Sequence, residues 1–361
     1  MHQRDTTTDF EPVRFLEELV RIESYSGEET AAAHFLVATM QRLGMHSFVD
    51  AAGNAVGIVG ASDPAHLEAP LVLLGHIDTV GGVVPVRTEG GRLYGRGTVD
   101  AKGPFATFVV AAAQRLARGP LQRPLVLVGA VEEEAASSKG AHYILDKYTP
   151  AACIIGEPSG WDKLTLGYKG RLLVEGRWQT DSAHSAGRNV PAAERAVSFW
   201  NAIQGYCIAY NEDKTRLFDQ VLPSLRAINS GGDGLREWAS LTVGLRLPPE
   251  VQPAELEELL CTFANQGDLS FRGGCMAYQG DKNNTLVRAM LKGVRAAGGK
   301  PGFLLKTGTS DMNVVGPVWQ CPILAYGPGD SSLDHTPDEH IEIAEYQRAI
   351  DTLTIALHEL T

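Results

Sequence analysis

Several apolar runs in this 361-residue chain end directly in a side chain that can bind a metal ion. The run LVLLG is followed by His76, LVLVGAVEE by Glu134, and ACIIG by Glu157. Such short, continuously apolar runs are typical of strands that are buried on both faces of a parallel sheet. Ligands of open α/β sheets bind in the crevice outside the carboxyl ends of the strands. We therefore expect these three side chains to meet in that crevice.

Two further ligand-type residues follow turns. Asp100 comes after the turn GRGTV and opens a helical segment, and His335 follows ILAYGPGDSSLD. Asp100 has two interpretations, since aspartate is a favoured helix N-cap and its two oxygens can equally bridge two cations. Two histidines and three carboxylates without cysteine suit a pair of zinc or cobalt ions that share a bridging carboxylate. Such a pair activates water for hydrolysis.

The residues around these ligands also indicate a hydrolytic site. In GHIDTV, His76 and Asp78 project to the same side of an extended backbone, so the carboxylate can fix the tautomer of the imidazole. Glu132, Glu133 and Glu134 end a buried strand, and either form a solvated cluster or lie near cations. Because adjacent residues face opposite ways, one glutamate can bind metal while its neighbour transfers protons.

The order of apolar patterns predicts two domains. Alternating helices and strands fill the first part, beginning with EPVRFLEELVRIES and a helix that we expect a Ser26–Glu29 capping box to open. A β-α-β-β-α-β order, typical of the ferredoxin-like unit, then spans 170–281. The predicted fold class is α/β, with a mixed, mainly parallel sheet flanked by helices, plus an inserted ferredoxin-like α+β lid or dimerisation domain. The predicted domains are a discontinuous catalytic domain at 1–169 and 282–361 and an inserted domain at 170–281.

Composition excludes several classes of function. A formal net charge of −11 argues against a nucleic-acid surface, and no apolar run approaches the length needed to cross a bilayer. The segment MHQRDTTTDF is polar, unlike a secretory signal or a transit peptide. We therefore expect a cytoplasmic protein that binds neither nucleic acid nor membrane.

Six motifs occur in the order known from one enzyme family. GHIDTV, GRGTVDAKG, the EEE run, GEPS, SAHSAG and DHTPDEH resemble the co-catalytic di-zinc aminoacylase and deacetylase family of metallopeptidase-like hydrolases. That family includes acetylornithine deacetylase and succinyl-diaminopimelate desuccinylase. Within it, EEEAASSKGA, GYKGRLL and KTGTSDMN are similar to the lysine- and ornithine-releasing hydrolases that act on an amino-group carrier protein.

The resemblance implies two divalent ions per subunit, zinc first and cobalt as the alternative, and a role for each motif residue. It implies that His76 and Glu157 hold one ion, that Glu134 and His335 hold the other, and that Asp100 bridges them. Among the catalytic residues, it implies that Asp78 orients His76, that Glu133 is the general base, and that His184 reaches the partner's site across a homodimer formed by the inserted domain. It also matches Asn229 and Arg246 to positions that bind polar groups of the substrate.

The implied reaction is hydrolysis of an amide that releases lysine or ornithine from the γ-glutamyl end of an acidic carrier protein, in lysine or arginine biosynthesis. The alternative is the same chemistry on a small substrate such as N-acetyl-lysine or N-acetylornithine, and a non-catalytic binding protein on this fold is a remote third hypothesis. Because a chain of net charge −11 repels an acidic carrier, the first hypothesis requires a local basic rim. The candidate residues for this rim are Lys163, Lys169, Arg171, Arg188, Lys282 and Lys306.

Overall fold

The structure is a computed structural model that describes residues 10–61, 67–183 and 189–361. The chain divides into two compact units. The first comprises Met1–Gly167, Gly280–Leu304 and Ser310–Thr361, and the second comprises Tyr168–Gln279 and Leu305–Thr309. None of the helices in the described part of the chain is both long and apolar enough to cross a membrane.

The described residues of the two units form the following helices and strands, which alternate through most of the first unit. The helices are α1 (Pro12–Val20), α2 (Thr30–Arg42), α3 (Lys102–Ala117), α4 (Lys139–Ile144), α5 (Ala192–Asn211), α6 (Pro253–Phe263), α7 (Thr285–Ala296), α8 (Met312–Trp319) and α9 (Ile343–Leu360). The strands are β1 (His46–Val49), β2 (Ala55–Val59), β3 (Leu71–His76), β4 (Arg87–Glu89), β5 (Arg92–Tyr94), β6 (Leu125–Ala130), β7 (Ala152–Gly156), β8 (Lys163–Tyr168), β9 (Gly170–Asp181), β10 (Leu222–Gly232), β11 (Arg236–Leu247), β12 (Asp268–Cys275), β13 (Tyr278–Gln279), β14 (Gly302–Lys306), β15 (Ile323–Ala325) and β16 (His340–Glu342).

The main sheet of the first unit has the predicted mixed, mainly parallel form. Its strands run in the order β1-β2-β6-β3-β7-β15-β8. The central strands β6, β3, β7 and β15 are parallel to one another. On the two sides, β2 pairs antiparallel with β6 and β8 pairs antiparallel with β15, while β1 at the edge pairs antiparallel with β2. All residues of β3, β6 and β7 are buried, as their continuously apolar sequences predict. The predicted fold class is confirmed.

Helix α3 forms the centre of the first unit's core. It packs against β3, β6 and β7 and also contacts α1 and α9. Because neighbours cover it on several sides, nearly all of its residues are buried, including Phe105 and Phe108. The helix ends at Ala117, and Gly119 follows with φ +118°, a left-handed conformation that favours glycine after a helix.

The second unit has a four-stranded antiparallel sheet in the order β10-β11-β9-β12. Helix α5 packs against β9, β10 and β11, while α6 packs against β12 and α5. Along the chain this is the predicted β-α-β-β-α-β order. A core of alternate strand residues and helix residues, including Leu172, Val174, Trp178 and Phe199, lies between the sheet and the helices.

The segment at 305–309 belongs to the second unit, although the predicted boundaries assign it to the first domain. Two hydrogen bonds hold it there: the Lys169 backbone N–H donates to the Lys306 carbonyl at 3.1 Å, and Arg246 Nη1 donates to Thr309 Oγ1 at 3.2 Å. Assignment of the two units as a catalytic domain and a lid or dimerisation domain stays a prediction.

Candidate metal centre

Three neighbouring parallel strands bring the predicted ligands together. His76 is the last residue of β3, and Glu157 directly follows β7. Glu133 and Glu134 come shortly after β6, whose Ala130 lies opposite His76 in the register. Because these strands are adjacent and parallel, their carboxyl ends place all four side chains at one edge of the sheet.

Two groups of ligand-type side chains converge at this edge. His76, Asp100 and Glu157 form one group, and Asp100, Glu134 and His335 form the other. Within each group, one ligand atom of every residue lies within 4.8 Å of the others. Asp100 is common to both groups, which is the arrangement expected of a bridging carboxylate. The roles of these residues as metal ligands stay predictions.

Asp100 lies between the two histidines. Its Oδ1 is 3.1 Å from His76 Nε2, and its Oδ2 is 3.0 Å from His335 Nε2. The N-cap of α3 is Ala101, so Asp100 is not the helix cap that one interpretation of the sequence allowed. Burial alone would raise the pKa of Asp100, but hydrogen bonds with His335 and His76 lower it far below its ordinary value. The carboxylate is therefore held ionised, as a ligand must be.

Two contacts orient the buried imidazole of His76. Its Nδ1–H donates to the backbone carbonyl of Asp78 at 3.0 Å, and Nδ1 also lies 3.3 Å from Asp78 Oδ1. A carbonyl oxygen can only accept, so the proton is on Nδ1, and Nε2 of the neutral ring is free to act as a ligand. Burial lowers the pKa of His76, but hydrogen bonds with Asp100 and Asp78 raise it well above its usual value.

Asp78 also organises the glutamate loop. Its Oδ1 accepts from the Glu133 N–H at 3.1 Å, and its Oδ2 accepts from the Glu134 N–H at 3.0 Å. Ser26 Oγ–H donates to Asp78 Oδ2 at 2.7 Å. The predicted Ser26–Glu29 capping box is therefore wrong: Glu29 is itself the N-cap of α2 and makes no side-chain cap bond. Burying the strand-end carboxylate outweighed local capping, because an unsatisfied buried charge costs more than a lost cap.

The three adjacent glutamates have separate environments. Glu132 adopts a left-handed φ of +58°, accepts from Ser137 Oγ–H at 2.7 Å and lies 3.3 Å from Lys139 Nζ. Glu134 Oε1 lies 2.9 Å from His335 Nε2, whereas Glu133 Oε2 lies 4.0 Å from His76 Nε2. This placement supports the predicted register, with Glu134 as ligand and Glu133 as base. Burial is the main cause that raises the pKa of Glu133 well above its usual value.

Glu339 is a site residue that the sequence did not reveal. Its fully buried Oε1 accepts from the backbone N–H groups of Gly97, Val99 and Asp100 at 2.9, 3.0 and 3.2 Å. Its Oε2 accepts from Arg96 Nη1 at 2.7 Å. Glu339 thus holds the turn that positions Asp100. The DHTPDEH motif contained the signal, but nothing in its spacing showed that the glutamate contacts the distant GRGTVD turn.

We expect Glu339→Gln to weaken metal binding by roughly 10- to 100-fold, the usual range for a residue that supports a direct ligand. The amide nitrogen cannot accept from Arg96 or from the backbone, so Asp100 loses its position. Competition with a coloured chelator measures the affinity. Glu342→Gln is the matched control, since that carboxylate is half-exposed and pairs with Arg92 at 2.6 Å. Equal losses in both variants would contradict the positioning role.

Asp311, in the KTGTSDMN segment, is a second residue without a predicted role. It is 2% exposed, and neither carboxylate oxygen has a hydrogen-bond partner in the described part of the chain. Burial raises the pKa of Asp311 to about 7. The charge of His76 lowers this pKa, and the charge of Asp78 raises it. Asp311 therefore adds another buried carboxyl group within electrostatic range of His76 and Asp78.

The chemistry of these donors fits two divalent ions. Five carboxyl groups, of Asp100, Glu133, Glu134, Glu157 and Asp311, accompany two imidazoles, so two imidazolium charges could not balance them. Buried like charges destabilise one another unless cations lie between them. Imidazole nitrogens and carboxylate oxygens without thiolate suit zinc, cobalt or manganese.

Three further residues, His184, Asn229 and Arg246, were predicted to be catalytic or substrate-binding. His184 lies outside the described residues. Asn229 and Arg246 belong to the second unit, where Asn229 pairs with Ser240 and Arg246 pairs with Leu222. Six residues of β11 therefore separate the two positions, about 20 Å at the usual rise of roughly 3.3 Å per residue. One amino-acid head group cannot contact both in the same subunit, and their roles in binding stay predictions.

Comparisons with known proteins place the chain in a family. The model of peptidase family M20/M25/M40 matches residues 72–359. A [LysW]-lysine hydrolase from Deinococcus radiodurans is 45% identical over 98% of this chain and 98% of its own length. A relative from Thermococcus kodakarensis is 38% identical over 97% of this chain and 92% of its own length. Its provisional name covers hydrolysis of both [LysW]-lysine and [LysW]-ornithine.

The solved structures agree on the fold. An M20-family metallo-carboxypeptidase from Sulfolobus solfataricus superimposes with a TM-score of 0.78, at 20% identity, over 98% of this chain and 100% of its own. The family model covers most of the chain and includes every residue of the two ligand groups. This chain belongs to peptidase family M20/M25/M40.

Proposed function

We propose that this chain is a two-metal amide hydrolase that releases L-lysine, or L-ornithine, from the γ-carboxyl of a glutamate on the carrier protein LysW. The observation that carries the chemistry is the convergence of two ligand groups on Asp100, with Glu133 beside them. The names of the relatives support the substrate. The reaction belongs to lysine or arginine biosynthesis, which we place in the cytoplasm.

The chain's own residues supply the proton transfers. Two ions held by His76, Asp100 and Glu157 and by Asp100, Glu134 and His335 would polarise the scissile carbonyl and lower the pKa of a water molecule. Glu133 takes the proton of the attacking water and returns it to the departing amine. Because burial raises the pKa of Glu133, its carboxyl group can hold that proton between the two transfers.

Other residues position the reacting groups. Asp78 keeps the proton of His76 on Nδ1 and holds the backbone of Glu133 and Glu134. His184 of a partner subunit donates to the oxyanion, which requires a homodimer formed through the second unit. We propose zinc as the bound metal and cobalt as the alternative.

The substrate test compares lysine release from lysine-bearing LysW with release from N-acetyl-lysine, each with zinc and then with chelator. We expect kcat/KM for the carrier substrate to be higher by at least about tenfold, which corresponds to roughly 1.4 kcal/mol of extra binding. Chelator should stop both reactions. Equal or better use of N-acetyl-lysine would contradict the carrier substrate, and no turnover of either with zinc bound would contradict both.

One observation favours the second candidate, a deacylase for small N-acyl amino acids. The proposed basic rim is not realised as predicted, because Lys169 is fully buried. Its ammonium donates to the carbonyls of Leu217 and Phe218 at 3.0 and 2.9 Å, and also to that of Gln220. Of the remaining rim residues, Lys163 pairs with Asp162 at 2.8 Å and Arg188 lies outside the described residues. The predicted rim is therefore reduced to Arg171, Lys282 and Lys306, and an acidic carrier needs further basic contacts.

A further inference from the structure

The sheet of the second unit has one face that its helices do not cover. Along β9, Leu172, Val174 and Trp178 point into the core with α5 and are almost fully buried. Side chains of a strand alternate between its faces, so Arg171 and Arg177 project from the opposite side. We call this helix-free side, made by alternate residues of β9, β10, β11 and β12, the open face.

The open face is rich in arginine. Six arginines lie on it. The pairing register places Arg171, Arg177, Arg236, Arg246 and Arg272 there, and Arg226, at an irregularity of the register, lies against Gly244 of the same face. Its carboxylates are fewer: Glu175 pairs with Arg272, Asp181 lies 3.9 Å from Arg236, and Asp268 lies opposite Arg177 in the register. A positive face on a chain of net charge −11 is a local feature that the overall composition does not show.

Two of these arginines are available for a partner. Arg177 and Arg226 are exposed, and neither forms an ion pair with a described residue. Arg226 lies over Gly244, where an added Cβ would come within 2.6 Å of the Arg226 Nε. Glycine at this outward position lets the guanidinium lie against the sheet, where its planar N–H groups can bind a carboxylate in bidentate fashion.

A second glycine makes room for an aromatic ring on the open face. Trp238 is 47% exposed on the open face, and an added Cβ at Gly231 would come within 2.9 Å of its indole. A shallow groove of about 500 Å³ is lined by Arg177, Trp238 and Ser240, among others. Tryptophan and arginine are the residue types that dominate binding energy at protein interfaces. A half-exposed tryptophan among arginines therefore indicates a binding surface and not merely a solvated face of the sheet.

We propose that the open face binds an acidic polypeptide, with Arg177 and Arg226 contacting its carboxylates and Trp238 packing against its apolar side chains. In identifying this polypeptide with the carrier that bears the substrate, the inference rests on the proposed function. The Debye length is about 8 Å at physiological salt, so charges at the contact outweigh the distant net charge. The carboxylates of Glu175 and Asp268 interrupt the positive surface, which suits a polypeptide better than the uniform charge of a nucleic-acid backbone.

The test uses the full-length, zinc-loaded chain with Arg177→Glu and Arg226→Glu combined. The control combines Arg195→Glu and Arg216→Glu, which make the same change in net charge on α5 and on the loop after it. Fluorescence anisotropy measures binding of lysine-bearing LysW and of a labelled ten-glutamate peptide at two salt concentrations. Lysine release is measured from the carrier and from γ-glutamyl-lysine. We call the double variant Arg177→Glu and Arg226→Glu the reversed pair. If it does not fold, the neutral double variant Arg177→Gln and Arg226→Gln replaces it in the same measurements.

We expect the reversed pair to bind both acidic probes about tenfold more weakly, with a smaller salt dependence, while the control pair binds within about twofold of the wild type. The ratio of carrier to γ-glutamyl-lysine turnover should fall to the same extent. No loss, or equal loss in both pairs, overturns the proposal. So does tighter binding of a single-stranded oligonucleotide than of the carrier. Arginine-dependent binding without any turnover would contradict the proposed function and leave the open face standing.

Discussion

Replacing Glu133 by glutamine is expected to lower kcat by roughly 10²- to 10⁴-fold, the range typical of a lost general base, while both metal ions stay bound. The amide cannot accept a proton from water or return it to the departing amine. Its shape is nearly unchanged, and the Glu133 N–H still donates to Asp78 Oδ1, so the loop keeps its conformation. Lysine release measures kcat, and elemental analysis of the purified variant measures metal content.

The neighbouring glutamates provide the controls for this variant. Glu132→Gln should retain activity, because Glu132 faces Ser137 and Lys139. Glu134→Gln should lose metal as well as activity, because Glu134 lies against His335. If Glu134→Gln kept its metal and Glu133→Gln lost it, the register of the three glutamates would be shifted by one residue, and the assigned roles of base and ligand would be wrong.

Replacing Asp100 by alanine is expected to remove the metal pair and lower activity by more than the roughly 10- to 100-fold that changes beyond the direct ligands cause. Both of its oxygens are used, one at each histidine. Loss of this carboxylate therefore affects both ligand groups at once. Metal content should fall below two ions per chain, and added zinc should not restore the rate.

Chelation of the wild type separates this effect from misfolding. Chelator should abolish activity, and zinc should restore it in the wild type but not in the Asp100 variant. The control is Asp338→Asn, which alters an exposed carboxylate close to His335 in the chain and should change neither metal content nor rate. An Asp100 variant that binds two ions with wild-type affinity would show that the carboxylate does not bridge them.

Much of the scaffold follows from short-range patterns. The runs LVLLG, LVLVGA and ACIIG are β3, β6 and β7 because such apolar sequence is stable only where both faces of a strand are covered. The spacing of apolar residues likewise predicted the β-α-β-β-α-β order of the second unit. Candidate ligands followed from the same runs, since parallel strands end at one edge.

Two predictions from the sequence were wrong for the same physical reason. Ser26 and Glu29 matched a capping box, but Ser26 donates to Asp78, which lies 52 residues away in the chain. Lys169 was predicted to lie on a basic rim, but its ammonium is buried against three backbone carbonyls. In each case a long-range polar contact satisfied a group that local sequence assigned to another role, because burial makes an unsatisfied group costly.

By itself, the sequence determined the fold class, the family motifs and which side chains could bind metal, because these depend on residue type and on spacing along single strands and helices. Only the tertiary structure decided that Glu339 holds the turn before Asp100, that Asp311 is buried within range of His76 and Asp78, and that arginines from four strands share one face. Such juxtapositions arise from the register between strands and from loops distant in the chain, and no local pattern encodes them.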